Sequence, residues 1–311
     1  MVNQLILTKE APLGDAVFGI DNTLASRALE EGILATRPSD SAGGAGGASD
    51  SAGGAEPEGL SAPSEPSPLT HALPPEQVAL SAPFGDDADK LTAITTSDVC
   101  VLADHRWFAA HDLPEPTTFS DLAKPEYASL LVVENPATSS PGLSFLLATI
   151  SALGDSWPEY WRTMTDGGVK VVDSWSSAYY VDFSGPSSEG DRPLVVSYAS
   201  SPPAEVPEGG SESPVGALLD TCFRQVEYAG VLAGGASEAA AWVVVDFLAS
   251  RAFQDTVAEN MWVFPADPGA GIPPSWTEHA PRPSAPWELD PRQIATHRDD
   301  WIRQWTDIVA S

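Results

Sequence analysis

An α/β fold is what this sequence predicts, on three observations: strand-like and helix-like segments alternate, helix starts carry cap signals, and 311 residues exceed one average domain. Strand-like runs rich in Val, Ile, Leu and aromatic residues are read at Ala16 to Ile20, Val99 to Ala103, Leu130 to Val133, Val169 to Val172, Leu194 to Tyr198, Phe223 to Val231 and Met261 to Phe264. Helices are expected between them. The clearest starts at Ser140-Pro141, an N-cap followed by proline at the first helical position, and continues through Leu143, Leu146, Leu147 and Ile150 at core-facing spacing. A last helix starts at Asp290-Pro291, where Ile294, Trp301, Trp305 and Ile308 make one apolar stripe that packs back onto the body.

Residues from Pro38 to Pro83 are Ser, Gly, Ala, Pro and acidic, with a duplicated Asp-Ser-Ala-Gly-Gly-Ala at Asp40 and Asp50. Such a composition cannot offset its ordering entropy by burial, so a disordered surface loop is expected there. No uninterrupted apolar run reaches the roughly 18 residues of a membrane-spanning helix. The balance of 15 Lys and Arg against 44 Asp and Glu leaves a net charge of −29. That field repels phosphate backbones and argues against a nucleic-acid partner. It serves solubility in the plain reading, and attraction of a cationic solute in the sharper one.

Catalytic signals are few. No Gly-x-Ser-x-Gly elbow, His-Glu-x-x-His pair, Walker loop or Gly-x-Gly-x-x-Gly occurs, and His71, His105, His111, His279 and His297 share no ligand spacing. No cofactor, no metal and no enzymatic activity are expected. Cys100 and Cys222, read alone, are equally compatible with two buried thiols.

What the chain does carry is a series of turns at strand ends, the place where open α/β sheets bind small molecules. Asp21 and Asn22 follow the first strand. Thr138, Ser139 and Ser140 lie at a helix start, whose free N–H groups suit a phosphate or hydroxyl, although a Ser-Pro start is by itself only a cap. Trp175 follows another strand with Tyr179 one turn on, Tyr198 ends a further strand, and Trp262 sits in Trp-Val-Phe-Pro. Singly, each aromatic reads as core. Together, with a nearby Asp, they suit a flat aromatic cation held by stacking, cation–π attraction and one carboxylate.

The same turns, in order Asp-Asn, Asn-Pro-Ala-Thr-Ser-Ser-Pro-Gly-Leu, Trp-Ser-Ser-Ala-Tyr, Val-Ser-Tyr-Ala-Ser-Ser-Pro and Trp-Val-Phe-Pro, resemble the thiamine-binding proteins of ABC importers, particularly those of high-GC Gram-positive bacteria. The resemblance implies a type II periplasmic-binding-protein fold of two α/β lobes joined by crossing strands. Residues 1–98 then belong to lobe one, 99–222 to lobe two, and 223–311 return to lobe one with C-terminal helices on the body. It also implies a leader and a first strand, helix and second strand before Val2, which this sequence does not show, so lobe one is expected to be incomplete at its N-terminus. Thiamine or a thiamine phosphate is the implied ligand, held by Asp21, Asn22, Thr138, Ser139, Ser140, Trp175, Tyr179, Tyr198 and Trp262. An ABC permease with its ATPase is the implied partner of an extracytoplasmic monomer. Because Val99 to Ala103 and Phe223 to Val231 match the family's two connecting strands, a Cys100–Cys222 disulfide is expected. Three other functions stay open: a ferric-ion site using Tyr179 and Tyr180, a hydrolase using Ser139 or Ser200, and a purely structural surface protein, against which the strand-end aromatics speak.

Overall fold

In the computed structural model, residues 1–38 and 73–311 are described. Among them one mixed sheet runs through the molecule in the order β1 (Ala16–Asp21), β6 (Val215–Val231), β2 (Thr92–Asp104), β5 (Leu194–Tyr198), β3 (Leu131–Glu134), β4 (Lys170–Val172), with β7 (Phe264–Pro265) paired to β2. β2 and β6 are long and antiparallel, pairing from Thr92↔Ala229 to Asp104↔Val215. One end of this pair carries β1 and β7; the other carries β5, followed by the parallel strands β3 and β4. The two strands therefore cross between two structural halves, each with its own apolar core.

The larger core joins Val99, Val101, Val133 and Val196 to the Ser140–Leu153 and Trp157–Asp166 helices. On the other side Val17, Ile20, Phe84, Leu91 and Tyr228 form a smaller one. The C-terminal helix, Pro291–Val309, starts where Asp290 Oδ1 accepts from the Arg292 N–H, as the sequence predicts. Its Ile294, Trp305 and Ile308 are buried, and Trp305 meets Trp161 edge-to-face with centroids 5.4 Å apart.

Several boundaries differ from expectation, each for a local reason. β2 starts at Thr92, not Val99, because the polar Thr92 to Asp98 stretch is buried between β6 and β7 and hydrogen-bonded there, which hydrophobic pattern alone cannot show. β6 starts at Val215, not Phe223. Val99 faces Phe223 while Val101 faces Leu218, so Leu219 to Cys222 form a bulge that hides the strand's continuity, pinned by the Val101 N–H on Thr221 Oγ1 at 2.9 Å. Cys100 and Cys222 are disulfide-bonded at this bulge, with Cα atoms 4.1 Å apart and both residues fully buried. The run Met261 to Phe264 is not a strand: Met261 ends the Arg251–Met261 helix, and only Phe264–Pro265 pair with β2. The helix expected to be capped by Ser140 is capped by Ser139, whose Oγ accepts from the Gly142 N–H at 3.4 Å.

Of the loop expected over residues 38–83, residues 39–72 lie outside the described residues, and so does His71. Its last part is ordered. Pro75–Ala79 is helical and a 3₁₀ segment spans Ala82–Lys90. Here Gln77 donates to the Ala93 carbonyl (2.6 Å), Ser81 to that of Leu91 (3.0 Å), and Tyr228 to that of Leu80 (2.8 Å). Polar side chains reaching main-chain acceptors do what the weak apolar content could not.

Candidate functional site

Trp175, Tyr179, Tyr198 and Trp262 converge on one cavity of about 480 Å³, lined also by Tyr180, Glu205 and Glu227. Trp175 opens a short turn capped by Ser174, whose Oγ accepts from the Ser177 N–H at 3.2 Å. Its indole Nε1 donates to Ser197 Oγ at 2.9 Å, and its ring stacks on Tyr179 at 5.0 Å between centroids and 22° between planes. Tyr198, at the end of β5, lies 6.3 Å from the Trp175 ring. The Tyr179 hydroxyl donates to Glu205 at 2.8 Å, and Glu205 accepts further bonds from the N–H and hydroxyl of Ser187. Burial pushes the phenols of Tyr179 and Tyr198 well above the usual tyrosine range.

Trp262 is held differently. It caps the Arg251–Met261 helix with φ of 56°, a left-handed conformation that costs a residue bearing a Cβ about 1–2 kcal/mol. Ser200 Oγ donates to its carbonyl at 2.7 Å, and Trp276 stacks behind its ring at 6.1 Å. Trp262 stays 46% exposed, on the cavity wall. Strain kept in place by neighbours is commonest where a side chain must be presented.

The remaining predicted residues form a second group. Asp21 is buried: its Oδ1 accepts from the N–H and hydroxyl of Thr23, and its Oδ2 from Ser140 Oγ (3.0 Å) and Gln225 Nε2 (3.4 Å). Asn22 closes a two-way bridge to β6, donating to the Arg224 carbonyl and accepting from the Val226 N–H. Thr138 donates to the Asp173 carbonyl at 2.8 Å. Thr138, Ser139 and Ser140 border a smaller cavity of about 200 Å³, together with Arg298. Asp21 thus bridges the two halves through Ser140, while the carboxyl groups on the aromatic cavity are Glu205 and Glu227.

Reading the strand ends did not find those two. Glu227 had a weak signal: an acidic residue set between Val226 and the apolar Tyr228 to Val231 end of a strand, where burial of a carboxyl calls for a partner or a site. Glu205 lies in a Pro-rich turn and gave none. Two rival chemistries lose support here. The Tyr179 hydroxyl, one of the two phenols a ferric site would use, is bonded to Glu205 at 2.8 Å. Ser139 Oγ caps a helix and Ser200 Oγ donates to a carbonyl, with no histidine bonded to either among the described residues.

A model described as bacterial extracellular solute-binding protein matches residues 58–289. A thiamine-binding periplasmic protein of Brucella melitensis biotype 1 is 28% identical over 232 residues, covering 72% of this chain and 68% of that protein. A protein of the same name from Salmonella typhimurium is 27% identical over 231 residues, with the same coverage of 72% and 68%. Among solved structures, a periplasmic thiamin binding protein superposes with a TM-score of 0.73 at 23% identity, over 99% of this chain and 82% of that one. Apo ferric ion-binding protein A of Pasteurella haemolytica superposes at 0.63 with 11% identity, over 99% and 86%. At these identities the superpositions speak for fold, that of the type II periplasmic binding proteins, and not for ligand.

Proposed function

Because this chain belongs to the bacterial extracellular solute-binding protein family, we propose that it is the thiamine-binding component of an ABC importer, working outside the cytoplasm. The observation that carries the ligand is the aromatic cavity itself. Trp175, Tyr198 and Trp262 line it with two carboxyl groups, and no Lys, Arg or His lines it among the described residues. Thiamine offers a flat pyrimidine to stack and a thiazolium whose positive charge is attracted to ring faces and carboxyl groups. The names of the relatives support the same ligand.

On this reading residues 1–98 with 223–311 and residues 99–222 are two lobes that close on the ligand, hinged at β2 and β6 beside the Cys100–Cys222 bond. The rings come to lie in the box, with Tyr179 held behind Trp175 by Glu205. The hydroxyl or phosphate end is assigned to Thr138, Ser139 and Ser140, where Asp21 meets the helix start through Ser140 while Asn22 fixes the adjoining turn to β6. The protein acts as a monomer that hands its solute to a permease driven by an ATPase, and it carries out no chemistry on it.

Titration with thiamine, followed by tryptophan fluorescence and by melting temperature, tests the reading. Trp175→Ala is expected to weaken binding by about 1–3 kcal/mol, the size of a lost stacked cation–π contact. Unchanged fluorescence and melting at millimolar thiamine would dispose of it.

A further inference from the structure

Glu205 and Glu227 line the aromatic cavity but differ in what they have left to offer. Glu205 has both oxygens engaged, one by Tyr179 and the other by Ser187. Glu227 accepts one hydrogen bond, from Thr95 Oγ1 to Oε2 at 3.0 Å, and its Oε1 has no partner among the described residues. The strand register fixes its place, opposite Thr95 on β2 and opposite Asp21 on β1. After burial, Glu227 is the largest influence on the Tyr198 phenol, followed by Glu134 and Asp21. A carboxyl oxygen with a spare lone pair therefore stands beside the ring box, in a neighbourhood whose other titratable groups are acidic or phenolic.

The geometry points to Glu227 as the residue that selects among flat ligands: its Oε1 accepts a hydrogen bond from an amino group on the edge of the bound ring and disfavours a carbonyl oxygen in that position. This rests on the thiamine reading and goes beyond it by assigning the ring-edge specificity to one side chain. Thiamine carries such an amine on its pyrimidine; oxythiamine, otherwise alike, carries a carbonyl there. Two facing acceptors repel, and a site that pairs with a donor rejects the analogue lacking it far better than an apolar pocket can. The same free oxygen, once ionised, also answers the ligand's positive charge.

Glu227→Gln keeps the shape and leaves an amide oxygen for Thr95, but turns the free acceptor into a donor. Calorimetric titration of wild type and variant with thiamine and with oxythiamine gives a ratio of dissociation constants for each protein. The ratio comes from one sample, so it does not depend on the fraction folded. Wild type is expected to favour thiamine by ~10-fold or more, and the variant to lose that preference or reverse it. An equal ratio in the two proteins, or a wild type indifferent to the two ligands while binding both, overturns the role of Glu227 and leaves the thiamine reading standing. A wild type that binds neither sinks both.

Discussion

Replacing Glu134 by Gln should abolish a pH dependence of stability that the wild-type fold carries. Glu134 ends β3 directly beneath the start of the Ser140–Leu153 helix, 1% exposed, and neither carboxyl oxygen has a hydrogen-bond partner. Burial pushes its carboxyl from the ordinary 4.5 up to about 8. Between these values the unfolded chain has Glu134 ionised while the folded chain keeps it protonated, so the folded state binds more protons and loses ground as pH rises. The stability present below pH 4.5 falls by ~1.4 kcal/mol per pH unit and is lower by about 5 kcal/mol once pH reaches 8. Gln has the shape of the neutral acid and cannot ionise. Thermal melts of both proteins at pH 4.5, 6, 7 and 8 should coincide at the lowest pH and then separate. By pH 8 the variant should melt higher by on the order of 10 °C. Other titrating groups are common to both chains and cancel in the difference. A difference that stays constant with pH, or that favours wild type as pH rises, would refute the placement of Glu134 as a buried neutral acid.

Other outcomes follow from single contacts. Gly142→Ala would set a Cβ 2.4 Å from the Glu134 carbonyl oxygen, a backbone atom that cannot step aside, so a loss of about 1–3 kcal/mol is expected in chemical denaturation. Replacing Cys100 and Cys222 together by Ser should cost up to about 5 kcal/mol, the chain-entropy value for a sequence separation of 122, read from denaturant midpoints. Mass spectrometry of wild type from an oxidising compartment should find neither thiol open to alkylation before reduction. Ser200→Ala removes the bond that fixes the Trp262 carbonyl and should weaken thiamine binding several-fold with little change in melting temperature; equal affinity would show that Trp262 needs no such hold.

How much of this was legible beforehand differs between elements. β5 was read to the residue, and the C-terminal helix from its Asp-Pro start, because local signals coincide there with tertiary ones: an apolar run between turns, and a cap followed by a one-sided stripe. β2 and β6 were each cut short, since Thr92 to Asp98 is polar and Leu219 to Cys222 bulges. In both places the stability comes from partners across the sheet, which a linear pattern does not contain. The aromatic turns were found because stacking residues at strand ends are rare enough to notice, whereas Glu227 was passed over for want of a view of what faces it.

The sequence by itself determined the α/β alternation, the acidic surface, the helix caps and the set of aromatic side chains available for a site. Only the tertiary structure decided that Trp175, Tyr198 and Trp262, drawn from three separate turns, line one cavity. It alone set Asp21 to bridge two halves through Ser140 and left a free oxygen on Glu227 beside the rings. The reason is range: caps and periodicities act within about one helical turn or strand pair, while a site is made by groups far apart in the chain whose separation is fixed only once the core has closed.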